Sequence, residues 1–269
     1  MIKLFISDID HTLYSSELKD IPQENITALK KLIVKGIKVC LASSRVYSGI
    51  SSLAEELDLK NNGGYIIANG GSLVVRCCDN KQLVNECMSQ KQVREMYELA
   101  QRMNVGFNIA QDQYNITTGH SKIMDYDFAD VGLDYIVAHD IFKYVKDPVY
   151  RVSFSVDNGN VSDLLQQLNN LCGQDFYFNI PQNNTVDVGL KHINKLTGIK
   201  AVINDMGIDL DETAAIGDNG NDVEMLKAVK ISGCVANGSQ QAKEVADYIV
   251  ADCKEAGVAQ FIEERLLND

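Results

Sequence analysis

The first part of the chain alternates between short apolar segments and longer amphipathic ones. Leu4 to Ile6 is an unbroken apolar run that stops at polar residues, which is typical of a buried parallel strand. Pro22 to Lys35 carries apolar residues at helical spacing and is followed by Gly36, a pattern that predicts a helix. The alternation continues with a predicted strand, helix and strand at residues 37–41, 46–57 and 65–68. This order of elements predicts an α/β fold with a doubly wound, mostly parallel sheet of Rossmann-like type.

The same alternation returns near the C-terminus, from about Lys195, whereas the region between follows a different pattern. There a predicted helix followed by two short strands occurs twice, at residues 91–118 and 161–188. We therefore predict two domains. Residues 1–80 and 190–269 are predicted to form the core, and residues 81–189 an inserted α+β domain.

The composition restricts the class of partner. With 25 Lys and Arg against 37 Asp and Glu, the 269-residue chain carries a formal charge of -12. This charge disfavours nucleic acid and anionic lipid, so we expect a small-molecule partner, no nucleic acid and no membrane. The seven cysteines form no C-x-x-C pair, the N-terminus lacks a signal-peptide layout, and no apolar run approaches the roughly 18 residues of a membrane span. We expect a cytoplasmic protein; a monomer is favoured, with the oligomeric state left open.

Polar residues follow several of the predicted strands at the point where each strand ends. Ligands of an open parallel sheet bind beyond these carboxyl ends, so the residues there are candidate site residues. The four segments are Asp8-Ile9-Asp10-His11-Thr12, Ala42-Ser43-Ser44-Arg45, Asn69-Gly70-Gly71 and Gly217-Asp218-Asn219-Gly220-Asn221-Asp222. Carboxylates from distant parts of the chain are therefore predicted to meet at one edge of the sheet.

Such a carboxylate cluster needs a cation or a proton. Two like charges about 4 Å apart repel by roughly 4 kcal/mol at an effective dielectric near 20. Hard oxygen ligands without His or Cys favour Mg²⁺ over zinc, and Mg²⁺ keeps waters that a phosphate can replace. Ser43 is expected to open a helix and so to form an anion site, and Lys195 can add a point charge. The residues therefore indicate a Mg²⁺ site that binds phosphate.

The segments DIDHT, ASSR and GDNGND, together with an isolated lysine, resemble the four motifs of the haloacid dehalogenase-like (HAD) phosphatases. The chain length, the position of the insert and the C-terminal segments VANGS, ADYIV and GVA resemble the Cof-type branch, which has a class IIB cap. The resemblance covers essentially the whole chain. It implies a HAD core at 1–80 and 190–269, with residues 81–189 as the cap domain.

The resemblance also implies roles for individual residues. Asp8 would be the nucleophile that forms an aspartyl-phosphate, and Asp10 would protonate the leaving oxygen and later deprotonate water. Asp8, Asp10 through its main-chain carbonyl, and Asp218 would hold Mg²⁺. The phosphoryl group would be contacted by Ser43, Lys195 and Asn221. Asp222 would be a near-site carboxylate that orients its neighbours.

Three further residues near these motifs are left with open roles. His11 and Ser44 stand where the family pattern usually has glycine. His11 can narrow the entrance or contact the leaving group, Ser44 can add a hydrogen bond to phosphate, and either can be silent. Arg45 can equally be a substrate contact or a structural ion-pair partner.

The function expected from the sequence is Mg²⁺-dependent hydrolysis of small phosphorylated metabolites, with sugar phosphates favoured. The insert is expected to act as a lid that excludes water and selects the leaving group. One alternative is a phosphomutase of the same superfamily, which returns the phosphoryl group to a sugar hydroxyl. Another is a non-catalytic, receiver-like phosphate sensor. Asp10 and the large insert speak against that sensor.

Overall fold

The structure is a computed structural model that describes residues 1–119, 134–146, 148–156, 160–180 and 184–268. The chain divides into two compact units, Met1–Asn85 with Asn194–Asp269, and Glu86–Ile193. The first unit therefore includes residues 81–85 and the second includes residues 190–193, both of which lie on the other side of the predicted boundaries at 80 and 190.

The strands and helices are numbered in chain order over the described residues. The strands are β1 (Leu4–Ser7), β2 (Lys38–Ala42), β3 (Tyr65–Ala68), β4 (Leu73–Arg76), β5 (Lys81–Asn85), β6 (Gly106–Ala110), β7 (Tyr114–Thr117), β8 (Asp134–Val137), β9 (Val152–Ser155), β10 (Phe176–Asn179), β11 (Thr185–Leu190), β12 (Thr213–Gly217), β13 (Ile231–Val235) and β14 (Tyr248–Val250). The α-helices are α1 (Gln23–Val34), α2 (Ser48–Glu56), α3 (Leu59–Asn62), α4 (Gln90–Met103), α5 (Val161–Cys172), α6 (Lys195–Met206), α7 (Val223–Ala228), α8 (Gln240–Lys243) and α9 (Gly257–Ile262). A π-helical segment, Glu263–Leu267, follows α9. Among the described helices, none has the length and apolarity that a membrane crossing needs.

The first unit is built on an eight-stranded sheet with the order β14-β13-β12-β1-β2-β3-β4-β5. The strands from β14 to β3 are parallel, and β4 and β5 are antiparallel additions at one edge. β1 lies between β2 and β12, and all four of its residues are buried, as its unbroken apolar sequence predicts. The predicted α/β fold with a doubly wound, mostly parallel sheet is confirmed.

The strand β5 belongs to the sheet of the first unit, and for this reason the unit extends to Asn85 instead of ending at the predicted residue 80. It pairs with β4 in antiparallel register, with Arg76 opposite Lys81. Its sequence, KQLVN, leaves its residues exposed or only half-buried. A short polar edge strand of this kind has no strong alternation of apolar and polar residues. Its sequence therefore does not show that it belongs to the first sheet.

The second unit contains a six-stranded sheet with the order β10-β11-β9-β6-β7-β8. Two similar segments supply most of it, since α4 precedes β6 and β7, and α5 precedes β10 and β11. One face of the sheet is apolar and packs with residues of both helices, such as Met96 of α4 and Leu168 of α5. The apolar residues alternate with polar ones along β6, β9 and β11.

Candidate active site

Asp8 lies directly after β1, at the carboxyl end of the strand. Its backbone amide donates to the carbonyl of Ile216 in β12 at 3.1 Å, so pairing with the neighbouring strand fixes its backbone. The next turn is tight, because the carbonyl of Ile9 accepts from the amides of Thr12, Leu13 and Tyr14. The side chain of Asp8 is buried. This buried carboxylate at a strand end is where the sequence predicts the nucleophile.

Lys195 connects two carboxylates of the site. Its Nζ donates to Oδ1 of Asp8 at 2.5 Å and to Oδ1 of Asp222 at 2.6 Å. The lysine is only 2% exposed, so its ammonium group has exchanged water for these two carboxylates. The structure therefore brings the predicted lysine to the predicted nucleophile.

Two features position Lys195, and the sequence interpretation overlooked both. Asn194 and Thr197 form a capping box at the start of α6, in which each side chain accepts from the backbone amide of the other residue. One turn later, a Cβ at Gly198 would lie 2.8 Å from Cγ2 of Ile67 in β3, so only glycine allows α6 to approach the sheet this closely. The pattern Asn-x-x-Thr before an apolar helical segment is the sequence signal that predicts the helix start.

Asp222 is held by hydrogen bonds to both of its oxygens. While Oδ1 accepts from Lys195, Oδ2 accepts from the amides of Asp218 at 3.0 Å and Asn219 at 3.2 Å. A Cβ at Gly217 would lie 2.6 Å from Cγ of Asp222, so the glycine makes room for this carboxylate. Asp222 therefore shapes the loop after β12 and orients Lys195.

Asp218 completes a cluster of three buried carboxylates. Ligand oxygens of Asp8, Asp218 and Asp222 all lie within 4.8 Å of one another. The backbone of Asp218 is fixed by its carbonyl, which accepts from the amide of Ser239 at 2.7 Å. Carboxylates separated by about 210 residues in the sequence thus share one small volume, as the strand-end argument predicts.

The electrostatics of this cluster show an excess of negative charge. Burial raises the pKa of Asp218 to about 9, and the charges of Asp8 and Asp222 add to that rise. Burial also raises the pKa of Asp8 to about 7, against the opposing effect of Lys195. Burial alone would lower the pKa of Lys195, but the charges of Asp222 and Asp8 outweigh it and hold that pKa well above its ordinary value. The lysine is therefore a permanent cation, and it is outnumbered by the carboxylates.

These residues fit a divalent cation. Three carboxylates against one ammonium group leave two negative charges uncompensated at neutral pH when all three are ionised. The donor atoms of the cluster are oxygens, the ligands that Mg²⁺ prefers. Because both oxygens of Asp222 already accept hydrogen bonds, Asp8 and Asp218 are the carboxylates with capacity for an ion.

Asp10 is paired with Arg45 outside this cluster. Nη2 of Arg45 lies 2.6 Å from Oδ1 of Asp10, and Nε donates to Oδ1 and Oδ2 at 3.1 and 3.0 Å. The guanidinium also lies over the ring of Tyr14 and donates to the carbonyl of Gly49. In this structure Arg45 is thus an ion-pair partner of the proposed acid–base residue, one of the two roles that the sequence leaves open.

The prediction that Ser43 opens a helix is wrong, because α2 begins only at Ser48. Amides that follow β3 hold the intervening loop in place. The amide of Gly70 donates to the carbonyl of Ser43 at 3.0 Å, and that of Asn69 donates to the carbonyl of Arg45 at 2.8 Å. The Ser43 hydroxyl accepts from the amide of Arg45 and lies 3.4 Å from Oδ2 of Asp10. Ser43 therefore belongs to a turn beside Asp10.

Ser44 and Asn221 connect the loops that follow β2 and β12. Nδ2 of Asn221 donates to Oγ of Ser44 at 3.4 Å. The resemblance gives Asn221 a contact to phosphate and leaves Ser44 either a hydrogen bond to phosphate or no role, and the structure places the two residues next to each other. Their roles toward phosphate remain predictions.

His11 adopts a backbone conformation that favours glycine. Its φ is 60°, in the left-handed region. The backbone is held there by a bond from its amide to the carbonyl of Tyr14 and by a bond from Nδ2 of Asn237 to its carbonyl at 2.7 Å. Oγ of Ser16 lies 3.4 Å from Nδ1 of the exposed ring. This geometry accounts for the glycine that the family pattern usually has here.

Comparisons with known proteins decide the family. Residues 5–262 match the profile of a family described as haloacid dehalogenase-like hydrolase. The chain belongs to this family. The predicted superfamily and the predicted hydrolytic enzyme of HAD type are therefore confirmed.

Individual relatives of this HAD hydrolase cover nearly the whole chain. A Streptococcus pyogenes protein is 28% identical over 279 residues, which span 99% of both proteins. A Bacillus subtilis 5-amino-6-(5-phospho-D-ribitylamino)uracil phosphatase is 25% identical over 268 residues, which span 99% of this chain and 96% of the relative. Phosphatase is the activity in the latter name, in agreement with the predicted class of enzyme.

Solved structures share the fold of this HAD hydrolase. A haloacid dehalogenase-like hydrolase from Bacteroides thetaiotaomicron superposes with a TM-score of 0.87 at 24% identity, over 98% of this chain and 99% of the other. A sugar phosphatase of HAD subclass IIB superposes with a TM-score of 0.82 at 22% identity, over 97% of this chain and 98% of the other. The resemblance to the branch with a class IIB cap is confirmed at the level of the fold.

Proposed function

We propose that this HAD hydrolase is a Mg²⁺-dependent phosphatase that hydrolyses small phosphorylated metabolites through a phosphoryl group carried on Asp8. The observation that carries the proposal is the buried Lys195, which bridges Asp8 and Asp222 beside Asp218. Phosphoryl transfer is catalysed mainly by positioning and by neutralisation of charge, and this cluster supplies both.

Asp8 is the nucleophile in this proposal. Lys195 engages Oδ1, and Oδ2 accepts no hydrogen bond from any described residue. Oδ2 attacks the phosphorus of the substrate and forms an acyl phosphate bond, while the bond from phosphorus to the leaving oxygen breaks. Water then attacks the same phosphorus, and the bond to Oδ2 breaks to release inorganic phosphate and restore Asp8.

Asp10 is the acid and base in this proposal. In its protonated form it gives its proton to the leaving oxygen, and as a carboxylate it takes a proton from the attacking water. Asp10 is partly exposed, whereas Asp8 is buried, so Asp10 is the one of the two with access to solvent. Arg45 fixes the plane of the Asp10 carboxylate through the bonds from Nε and Nη2.

The residues proposed to hold Mg²⁺ are Asp8, Asp218 and the main-chain carbonyl of Asp10. When bound, the ion neutralises charge on the phosphoryl oxygens and on the carboxylates. Thr12 supports this arrangement, since its Oγ1 lies 3.5 Å from Oδ1 of Asp218. Ser43, Ser44, Asn221 and Lys195 are proposed to bind the phosphoryl group.

The favoured substrates are phosphate esters of sugars and related polyols. The solved structure of a subclass IIB sugar phosphatase and the Bacillus subtilis phosphatase, whose substrate carries a phosphoribityl group by name, support this class. We further propose that the insert predicted at residues 81–189, which corresponds to the unit Glu86–Ile193, is the cap domain, and that the protein acts in the cytoplasm as a monomer. Neither nucleic acid nor membrane is proposed as a partner, given the net charge of -12.

Replacement of Asp8 tests the proposed mechanism. The Asp8→Asn variant should release no phosphate from p-nitrophenyl phosphate or from a panel of sugar phosphates, and it should form no acid-stable phosphoprotein. Asp211→Asn, at an exposed position, is the matched control and should keep full activity. Unchanged phosphate release by the Asp8 variant contradicts the covalent route. If the wild-type protein converts a sugar phosphate into an isomer without releasing inorganic phosphate, the enzyme is a phosphomutase instead.

A further inference from the structure

A tight turn follows β13 and packs against the loop after β12. The amide of Gly238 donates to the carbonyl of Val235 at 2.9 Å, which closes the turn. A Cβ at Gly238 would lie 2.9 Å from the carbonyl oxygen of Asp218, so glycine allows the turn to approach this loop closely. The amide of Ser239 donates to the same carbonyl at 2.7 Å. We call residues 235–239 the β13 turn, and it holds the backbone of Asp218.

Asn237 joins the β13 turn to the loop after β1. Its Nδ2 donates to the carbonyl of His11 at 2.7 Å, and its Oδ1 accepts from the amide of Cys253, after β14, at 2.8 Å. A carbonyl can only accept a hydrogen bond and an amide N–H can only donate one, so the side chain fits in a single orientation. Asn237 therefore fixes the carbonyl of His11 relative to the ends of β13 and β14.

The backbone of His11 needs support, because φ is 60° at a residue that has a Cβ. On one side of the residue, its amide donates to the carbonyl of Tyr14 at 2.9 Å. On the other side, its carbonyl accepts from Asn237. Both peptide groups that flank His11 are thus anchored, and φ cannot relax unless one of these bonds breaks. The strain and a single hydrogen bond have similar free energies, so each bond matters to the balance.

The conformation of His11 also sets the direction of the Asp10 carbonyl. The amide N–H of His11 and the carbonyl of Asp10 belong to one planar peptide group, so they rotate together. If φ of His11 relaxes to a negative value by rotation of this group, the carbonyl oxygen of Asp10 turns with it. This oxygen is one of the proposed ligands of Mg²⁺, so strain at His11 acts directly on the metal site.

We propose that Asn237 is a positioning residue, which holds His11 in the left-handed conformation and thereby keeps the Asp10 carbonyl directed at the Mg²⁺ site. Asn237 acts through His11. Glycine, which the family pattern usually has at position 11, adopts this conformation without strain and needs less support. Asn237 and His11 are therefore a coupled pair. The role rests on the proposed function, which assigns the Asp10 carbonyl to Mg²⁺.

The Kd of Mg²⁺, obtained from the rise in Tm with Mg²⁺ concentration, tests the coupling. The proteins are the wild type, Asn237→Ala, His11→Gly and the double variant. Because Asn237 is exposed, its replacement should not prevent folding. We expect Asn237→Ala to raise this Kd about fivefold when His11 is present, and by less than about twofold when glycine replaces it. Equal rises in the two backgrounds, or no rise when His11 is present, overturn the proposal.

The matched control is Asn61→Ala. Asn61 is also exposed, and its Nδ2 donates to Oδ1 of Asp58 at 2.7 Å, so the substitution removes a comparable hydrogen bond at a position outside the metal site. The Kd of Mg²⁺ should match that of the wild type. If Asn61→Ala raises it as much as Asn237→Ala does, the effect is a general loss of stability and the positioning role is overturned.

Asn237→Asp separates positioning from charge. The aspartate keeps the shape and the acceptor for the amide of Cys253, but its carboxylate has no donor for the carbonyl of His11. An added negative charge would by itself tighten the binding of a cation. Loss of positioning acts in the opposite direction, so we expect the Kd of Mg²⁺ to rise about fivefold. Unchanged or tighter binding overturns the proposal.

These measurements need no turnover, so they separate the role of Asn237 from the proposed function. If the wild type hydrolyses no phosphate ester but the coupling with His11 appears in the Kd of Mg²⁺, the proposed hydrolysis fails and the positioning role stands. If the wild type is a Mg²⁺-dependent phosphatase and Asn237→Ala leaves the Kd unchanged, the positioning role fails and the proposed function stands.

Discussion

Nζ of Lys195 lies 2.5 Å from Oδ1 of Asp8, although 187 residues separate the two in the sequence. The same ammonium group lies 2.6 Å from Asp222, so a single side chain sets the spacing of two buried carboxylates. Its position depends in turn on the first turn of α6. The contact made to the Asp8 carboxylate therefore depends on a helix start that belongs to another part of the chain, whereas pairing with β12 fixes the Asp8 backbone.

Removal of the lysine charge should impair both stability and activity. Lys195→Met keeps much of the side-chain volume and leaves Asp8 and Asp222 without their cation. Breaking a buried ion pair in this way costs about 3–5 kcal/mol, and loss of a charge that faces the transition state lowers kcat by roughly 10²-fold or more. Urea unfolding and steady-state kinetics measure the two effects. Lys200→Met, at an exposed position on the same helix, should behave as the wild type.

The ion pair between Arg45 and Asp10 should appear as coupling in a double-mutant cycle. Arg45→Gln removes the charge that fixes Asp10, so we expect kcat to fall about 10- to 100-fold with KM nearly unchanged. In a protein that already carries Asp10→Ala, the same substitution should have little further effect, because contacting residues couple by about 0.5–3 kcal/mol. Kinetics of the four proteins on p-nitrophenyl phosphate measure the coupling. Additive losses show that Arg45 acts on the substrate directly.

Removal of metal should destabilise the protein most at high pH. The pKa of Asp218 is raised to about 9, mainly by burial, whereas an unfolded Asp has a pKa near 3.9. The folded state thus binds more protons than the unfolded state between these values, so stability in EDTA falls as pH rises through this window. Mg²⁺ at about 100-fold its Kd adds about 2.7 kcal/mol when it binds only the folded state, and it binds best when the carboxylates are ionised.

The measurement is the change in Tm on addition of Mg²⁺, which should be larger at pH 8 than at pH 5. Asp218→Asn is the matched variant, because it removes one charge of the cluster with little change in shape. It should flatten the pH dependence in EDTA and reduce the response to Mg²⁺. A response to Mg²⁺ that is the same at both pH values, or that survives this substitution intact, contradicts the assignment of the site.

The left-handed backbone at His11 predicts a difference between two small substitutions. A residue with a Cβ is less stable than glycine in this conformation by about 1 kcal/mol. His11→Gly should therefore be more stable than His11→Ala by about that amount in chemical unfolding. If the imidazole is silent in catalysis, both variants keep wild-type activity; a shared loss assigns a role to the ring. Greater stability of the Ala variant contradicts the argument from backbone strain.

The strand ends could be predicted because the signal is local. The apolar run from Leu4 to Ile6 predicts a strand, and Asp8 follows it within two residues. Because ligands of a parallel sheet bind beyond the carboxyl ends of its strands, the same few positions also predict a site residue. The lysine could be selected only through the resemblance to the family. A lone Lys195 has no local pattern that distinguishes it from other lysines, since its partners lie far along the chain.

The wrong helix start at Ser43 and the open role of Arg45 both occur where distant parts of the chain decide the local structure. Ser43 is predicted to open a helix, but α2 begins only at Ser48. The amides of Asn69 and Gly70, which follow β3, donate to carbonyls of the segment between β2 and α2 and hold it in a non-helical loop. The ion pair of Arg45 with Asp10 likewise depends on the spacing between β1 and β2. The pattern of residues 42–45 does not show how close β1 lies to β2. The sequence therefore leaves Arg45 either a substrate contact or a structural ion-pair partner.

The central place of β1 affects how the chain can fold as it is synthesised. One neighbour, β2, follows within a few dozen residues, whereas the other, β12, is not made until residues 213–217. Until then one edge of β1 has no permanent partner, and any product truncated upstream of β12 keeps that edge open to association with other chains. Quality control of this protein must therefore tolerate, or shield, a nascent chain in which β1 lacks one of its partners until residues 213–217 have been made.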